Sequence, residues 1–277
     1  MTVLTLPPLG AVARRAERAA GDAELSAGRL IALARLTASR PHPSLEDPPE
    51  RWRGRGPVVL VGGFCATDLV LGPMRRWLER LGYTVSTHTL GAGMGCAGRS
   101  VEAVADTVRR AADAHGGPVR VVAHSRGGQF ARAATRTLAR TGEAPESLVT
   151  LGTPLRLYGA SRFLLAQAAA VAALGSLGAP GLATLACLYG PCCAEFRDEL
   201  REPVPVPCTA VFSREDRAVR WQAAVDPAAR NIEVPGSHLG LLVDPPALRV
   251  VADALASRDR GRPGEVRTVA RRHVCAA

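Results

Sequence analysis

A chain of 277 residues, 47% of them hydrophobic, can bury a large core, and its length suits one α/β domain. Its 35 basic residues, all arginine, set a formal net charge of +10, yet aromatics are only 4% and neither a zinc-finger spacing nor an aromatic-and-basic strand occurs. Nucleic acid is therefore not an expected partner, and the charge reads as a solvated surface that leaves room for peripheral contact with an anionic membrane.

The first residues are apolar up to Arg14 and Arg15, the reverse of the order in an export signal, so the expected location is the cytoplasm, free or membrane-associated. Residues 1–56 divide into an Ala-, Arg- and Leu-rich part with helical spacing of Leu25, Leu30, Leu33 and Leu36, and a linker marked by Pro41, Pro43, Pro48 and Pro49. Alternating elements follow. Pro57 to Gly62 is a short apolar run, as a central strand covered on both faces requires. Helical spacing runs from Thr67 to Leu81, Tyr83 to His88 reads as a strand, and Arg99 to His115 as a helix. Val119 to Ala123 is a strand, Gln129 to Arg140 a helix, and Ser147 to Leu151 a further strand. Strands that alternate with helices in this way imply a mostly parallel sheet with helices on both faces.

From about 155 to 205 the alternation stops in an Ala- and Leu-rich stretch too long for a simple connection, which predicts an inserted helical cap. Its most apolar part, Phe163 to Gly190, is interrupted by Gly175, Gly178, Pro180 and Gly181, and so does not read as a spanning helix. Strands are expected again over Val206 to Phe212 and Asn231 to Val234, with a closing helix from Pro246 to Ser257. The domain thus spans 57–257, and 258–277 is a basic tail expected to be mobile. The seven cysteines read as free thiols. The group Cys187, Cys192 and Cys193 lacks the Cys-x-x-Cys pairs of a zinc site, so no metal is expected there, and a local disulfide stays open.

The chemistry centres on Ala123-His-Ser-Arg-Gly-Gly128, a strand running through a tight turn into a helix with Ser125 at the apex. Such a turn holds a hydroxyl clear of its own backbone, within reach of a base, and small residues two places either side (Ala123, Gly127) let strand and helix approach. A Gly-rich loop ahead of a helix is the alternative. In open parallel sheets the partners lie beyond the carboxyl ends of other strands. His238, in Gly236-Ser-His-Leu-Gly240, is the one of six histidines in such a turn after a late strand. His124 is expected to pack or hydrogen-bond elsewhere, and His42, His88, His115 and His273 have no such context. Asp216 suits the acid that orients a histidine; Glu215 is its immediate rival, with Asp226 and Asp244 further off. The backbone N–H groups of Phe64, in the Gly62-Gly-Phe64 loop, and of Arg126 are placed to receive an oxyanion.

These residues, with Leu151-Gly-Thr-Pro154 and Ser213-Arg-Glu-Asp216, resemble the α/β-hydrolase fold family, and within it the bacterial lipase/esterase-like members. The resemblance covers roughly Pro57 to Ser257. It implies Ser125 as nucleophile, Asp216 as acid, His238 as base, and the N–H groups of Phe64 and Arg126 as oxyanion hole. Ala123 stands in place of the usual first glycine, as in some bacterial lipases, and Gly62 where many relatives carry histidine. The activity so implied is cleavage of a small-molecule ester or acyl lipid through an acyl-enzyme intermediate, with no cofactor or metal. An acyltransferase or thioesterase would use the same residues, and a binding protein on the same fold would use none of them.

Overall fold

The computed structural model describes residues 45, 47–64, 66–89, 95–155, 162–257 and 266–269. The expected N-terminal helices of the first 44 residues lie outside the described residues. Among the described residues the sheet has seven strands, β1 (Pro57–Val61), β2 (Thr84–His88), β3 (Arg120–His124), β4 (Ser147–Leu151), β5 (Cys208–Phe212), β6 (Arg230–Glu233) and β7 (Val266–Thr268). Their order is β2-β1-β3-β4-β5-β6-β7, and every pairing is parallel.

The continuous apolar runs are explained by burial on both faces. Successive side chains of a strand point to opposite sides, and in β1 Val58 and Leu60 join one core cluster while Val59 and Val61 join the other. The first cluster is closed by Leu71, Met74 and Leu78 of α1 (Asp68–Arg80) and by Leu248, Val251 and Leu255 of α8 (Pro245–Ala256). The second is closed by Val104 and Val108 of α2 (Ala97–His115) and by Phe130, Ala134 and Leu138 of α3 (Arg126–Arg140). Helices therefore cover both faces of the sheet, as expected. Its core also reaches back into the Pro-rich segment: Leu45 and Trp52 are buried, and Trp52 packs edge-on against Trp77.

Between β4 and β5 lie α4 (Arg162–Ser176), α5 (Leu185–Tyr189) and α6 (Ala194–Glu199), the helical insertion expected from the loss of alternation. It is fastened along α3: the rings of Phe130 and Phe196 are 5.5 Å apart, and Glu199 pairs with both Arg136 and Arg140. A short helix, α7 (Trp221–Ala224), separates β5 from β6. The sheet also extends into the basic segment after 257, where Val266 and Thr268 stand opposite Asn231 and Glu233. Among the described residues no helix is long and apolar enough to cross a membrane.

Candidate active site

β3 ends at His124 and α3 begins at Arg126, so the whole reversal from strand to helix falls on Ser125. Its backbone has φ 55° and ψ −131°, and among the described residues it is the one non-glycine residue with positive φ. Strain of this kind survives only where the surroundings over-determine it. Here the Ser125 N–H donates to the Leu151 carbonyl (2.8 Å), and the Ser125 carbonyl accepts from the Gly128 N–H (3.0 Å). Gly127 is closely approached, but by the end of β1 rather than by the turn's own strand, since a Cβ there would collide with the carbonyl of Gly62.

The turn delivers the Ser125 hydroxyl to His238. Ser125 Oγ lies 2.9 Å from His238 Nε2, and His238 Nδ1 lies 2.6 Å from Asp216 Oδ2. The other carboxylate oxygen of Asp216 accepts the backbone N–H groups of Ala218 and Val219, each at 2.8 Å, which fixes the rotamer and leaves Oδ2 for the imidazole. The three residues are thus joined in one hydrogen-bonded line, in which the Asp216 side chain is better shielded (2% exposed) than that of His238 (14%).

The rival carboxylates are engaged elsewhere. Glu215 accepts the Gly236 N–H at 3.1 Å, Asp226 pairs with Arg132 inside the protein, and Asp244 precedes α8. The loop of Gly62 to Phe64 lies directly on the turn, because a Cβ on Gly63 would stand 2.8 Å from the Cβ of Ser125 and 3.3 Å from the Arg126 nitrogen. Arg126 opens α3, so its N–H has no acceptor within the helix. Its side chain leaves in another direction, over the ring of Phe130 at 5.2 Å; burial lowers the guanidinium pKa, and Nε has no partner. That side chain borders a small cleft between α3 and the cap, walled also by Gln129, Ala183, Leu188 and Phe196.

Two residues near this line were not assigned to it from the sequence. His124 does hydrogen-bond, as its position suggested, but to the chain of His238: its Nε2–H donates to the His238 carbonyl at 3.0 Å. Burial, followed by the nearby His238, pushes the His124 pKa down to about 3. Gly152, in the Leu151-Gly-Thr-Pro154 stretch, has φ 55°, and a Cβ there would stand 3.1 Å from both Asp216 Oδ2 and His238 Nδ1. A glycine at the carboxyl end of a central strand is the signal that could have found it.

No family model and no curated protein matches the sequence. Solved structures do match. A structure of the metagenome-derived lipolytic enzymes LipS and LipT is 17% identical with a TM-score of 0.53, over 74% of this chain and 95% of that one. Monoacylglycerol lipase from Paleococcus ferrophilus is 14% identical with a TM-score of 0.51, over 76% and 96%. Lipase B from Aspergillus fumigatus is 19% identical with a TM-score of 0.56, over 79% of this chain and 56% of that one. With a seven-stranded parallel sheet flanked by helices and these likenesses, the chain has the α/β-hydrolase fold.

Proposed function

We propose that this protein is a serine hydrolase that cleaves carboxylic esters through an acyl-enzyme intermediate. The observation that carries the reading is the unbroken line from Ser125 Oγ through His238 to Asp216, at 2.9 and 2.6 Å. A hydroxyl becomes a useful nucleophile when a base within hydrogen-bond reach accepts its proton. His238 Nε2 takes the Ser125 proton as Oγ bonds to the ester carbonyl carbon, and then gives it to the departing alcohol. Water, deprotonated by the same nitrogen, releases the acid and restores Ser125. Asp216 holds His238 with Nδ1–H towards the carboxylate and Nε2 towards serine, and stabilises the imidazolium formed in each step. The oxyanion is received by the N–H groups of Arg126 and Phe64, a role supported by the free helix-terminal N–H of one and the close packing of Gly63 that brings the other near.

An ester with an acyl chain is the substrate class favoured, because the cap is apolar and exposes Leu165, Leu174, Leu177, Leu185 and Tyr189. The similar structures named as lipases and lipolytic enzymes point the same way. The basic surface would favour peripheral association with an anionic membrane that carries such a substrate. The deciding experiment uses Ser125→Ala. Labelling by a fluorophosphonate probe should disappear, and turnover of short p-nitrophenyl esters should fall by roughly 10⁴. Turnover that survives the substitution rejects Ser125 as nucleophile.

A further inference from the structure

Sequence spacing argued against a metal at the cysteines of the cap, because Cys187, Cys192 and Cys193 lack paired Cys-x-x-Cys steps. Folding adds a fourth. Cys96, the residue that precedes α2, is brought from 96 and 97 positions away to stand 3.7 Å from Cys192 Sγ and 3.6 Å from Cys193 Sγ. Cys187 Sγ lies 3.7 Å from Cys192 Sγ, which is 3.9 Å from Cys193 Sγ. All four sulfurs fall within 4.8 Å of one another.

From these distances we infer that Cys96, Cys187, Cys192 and Cys193 form a structural site for one zinc ion that staples the cap to the start of α2. Zinc binds four thiolates at about 2.3 Å, which sets the corners of a regular tetrahedron about 3.8 Å apart. Four of the six sulfur pairs span 3.6 to 3.9 Å and bracket that edge, and the other two lie within 4.8 Å. A disulfide would need about 2.05 Å and would join the sulfurs only in twos. An iron–sulfur cluster spreads its cysteines around several iron atoms, wider than a set in which every pair lies within 4.8 Å.

The surroundings suit a thiolate centre. Bound zinc displaces four thiol protons and leaves two negative charges in excess on the site. Burial raises the Cys193 pKa, and against it the backbone N–H groups of Ala97 and Gly98, at the positive end of a helix of 19 residues, face Cys193 Sγ and favour thiolate. The Arg126 guanidinium stands close enough to feel the charge of Cys193. The turn that presents the cap cysteines is preset by Arg197, which donates to the carbonyls of Cys187 (3.4 Å), Leu188 (3.3 Å) and Gly190 (2.6 Å). Four protein ligands leave no open coordination position, so the ion is structural, and it holds the wall of the cleft formed by Ala97, Cys187, Leu188 and Phe196.

The test is metal content of the full chain, purified under reducing conditions without chelator. About one zinc per chain is expected by mass spectrometry of the metal. Cys96→Ser and Cys192→Ser should each lose it, whereas Cys208→Ala, at a buried thiol outside the group, should keep it. Should the serine variants not fold, the wild-type protein decides alone. Cobalt(II) bound in place of zinc should give a thiolate charge-transfer band, and removal of the metal should open residues 184–199 to protease. A reduced wild-type chain that neither contains zinc nor takes it up, or a disulfide between any two of the four cysteines in that chain, overturns the proposal.

Discussion

His124 and His238, 114 positions apart, are joined by a hydrogen bond from the first ring to the backbone carbonyl of the second, at 3.0 Å. The rings lie 4.6 Å apart. The bond needs only that His124 carry its proton on Nε2, and burial keeps that ring neutral, with a pKa down at about 3. In the unfolded chain the same ring takes up a proton near 6.5. Between those values the unfolded state binds the extra proton, so folding stability should fall as the pH drops from about 6.5 towards 3. The groups that face the ring, His238 and Asp216, remain in place in His124→Gln, which donates a similar bond but does not titrate. Denaturation midpoints of that variant should decline less steeply over this range than those of the wild type, and parallel curves would show that His124 does not contribute.

Asp216 and Glu215 are adjacent, yet their tasks differ. Asp216→Asn should lower kcat by about 10³ to 10⁴, because an amide can donate to the imidazole and select the wrong tautomer. Glu215→Gln leaves an oxygen able to accept the Gly236 N–H and should cost less than about tenfold in kcat/KM. Comparable losses in the two variants would contradict the assignment of the acid.

At Gly63 a single methyl is informative. A Cβ there would stand 2.8 Å from the Cβ of Ser125, so Gly63→Ala must move either the loop or the turn. Activity on p-nitrophenyl esters should drop at least about a hundredfold, the scale of losing one oxyanion donor, while thermal unfolding shifts little. Full activity in a folded Gly63→Ala protein would mean that the loop takes no part.

Arg132 and Asp226 form a buried ion pair, with side chains 3% and 5% exposed. Arg132 also donates to the Glu202 carbonyl at 2.8 Å, tying α3 to the end of the cap. Arg132→Met strands the carboxylate and should destabilise the fold by about 3–5 kcal/mol in urea unfolding. Adding Asp226→Asn should recover part of that loss. A single variant as stable as the wild type would count against a structural role for the pair.

If the cap receives acyl chains, its exposed leucines should meet aggregated substrate. Hydrolysis of a medium-chain ester should rise once the ester forms micelles, and Leu177→Glu, at a side chain 85% exposed, should blunt the rise without altering turnover of a soluble short ester. A flat response in the wild type would point to soluble esters.

Much of the architecture could be read from the chain because the central strands are covered twice. Val58 to Val61 are all fully buried, so the run is apolar without interruption and its type is plain. The small residues around Ser125 were equally legible, since a tight strand-to-helix turn leaves no room for others. β7 was not: three exposed residues at a sheet edge carry no pattern, and Val266-Arg-Thr268 resembles the arginine-rich segment around it. Nor did local sequence separate Asp216 from Glu215, because the choice rests on which carboxylate the turn aims at His238 and which at Gly236. The cysteine group of Cys187, Cys192 and Cys193 was visible but incomplete for a related reason, its fourth member, Cys96, being supplied by the fold rather than by spacing.

Because β4 and β5 are parallel neighbours, the chain that leaves one must travel back the full length of the sheet before it can enter the other, and the segment with α4, α5 and α6 is that return path. Along the backbone it joins the half of the sheet that carries Ser125 to the half that carries Asp216 and His238. Trimming it to a tight turn would leave β5 unable to pair in its present sense, since a parallel crossover needs about a dozen residues or more. On the proposed reading, exchange of this segment, with new ends grafted at residues 155 and 205, should alter substrate choice, whereas its excision should unfold the protein.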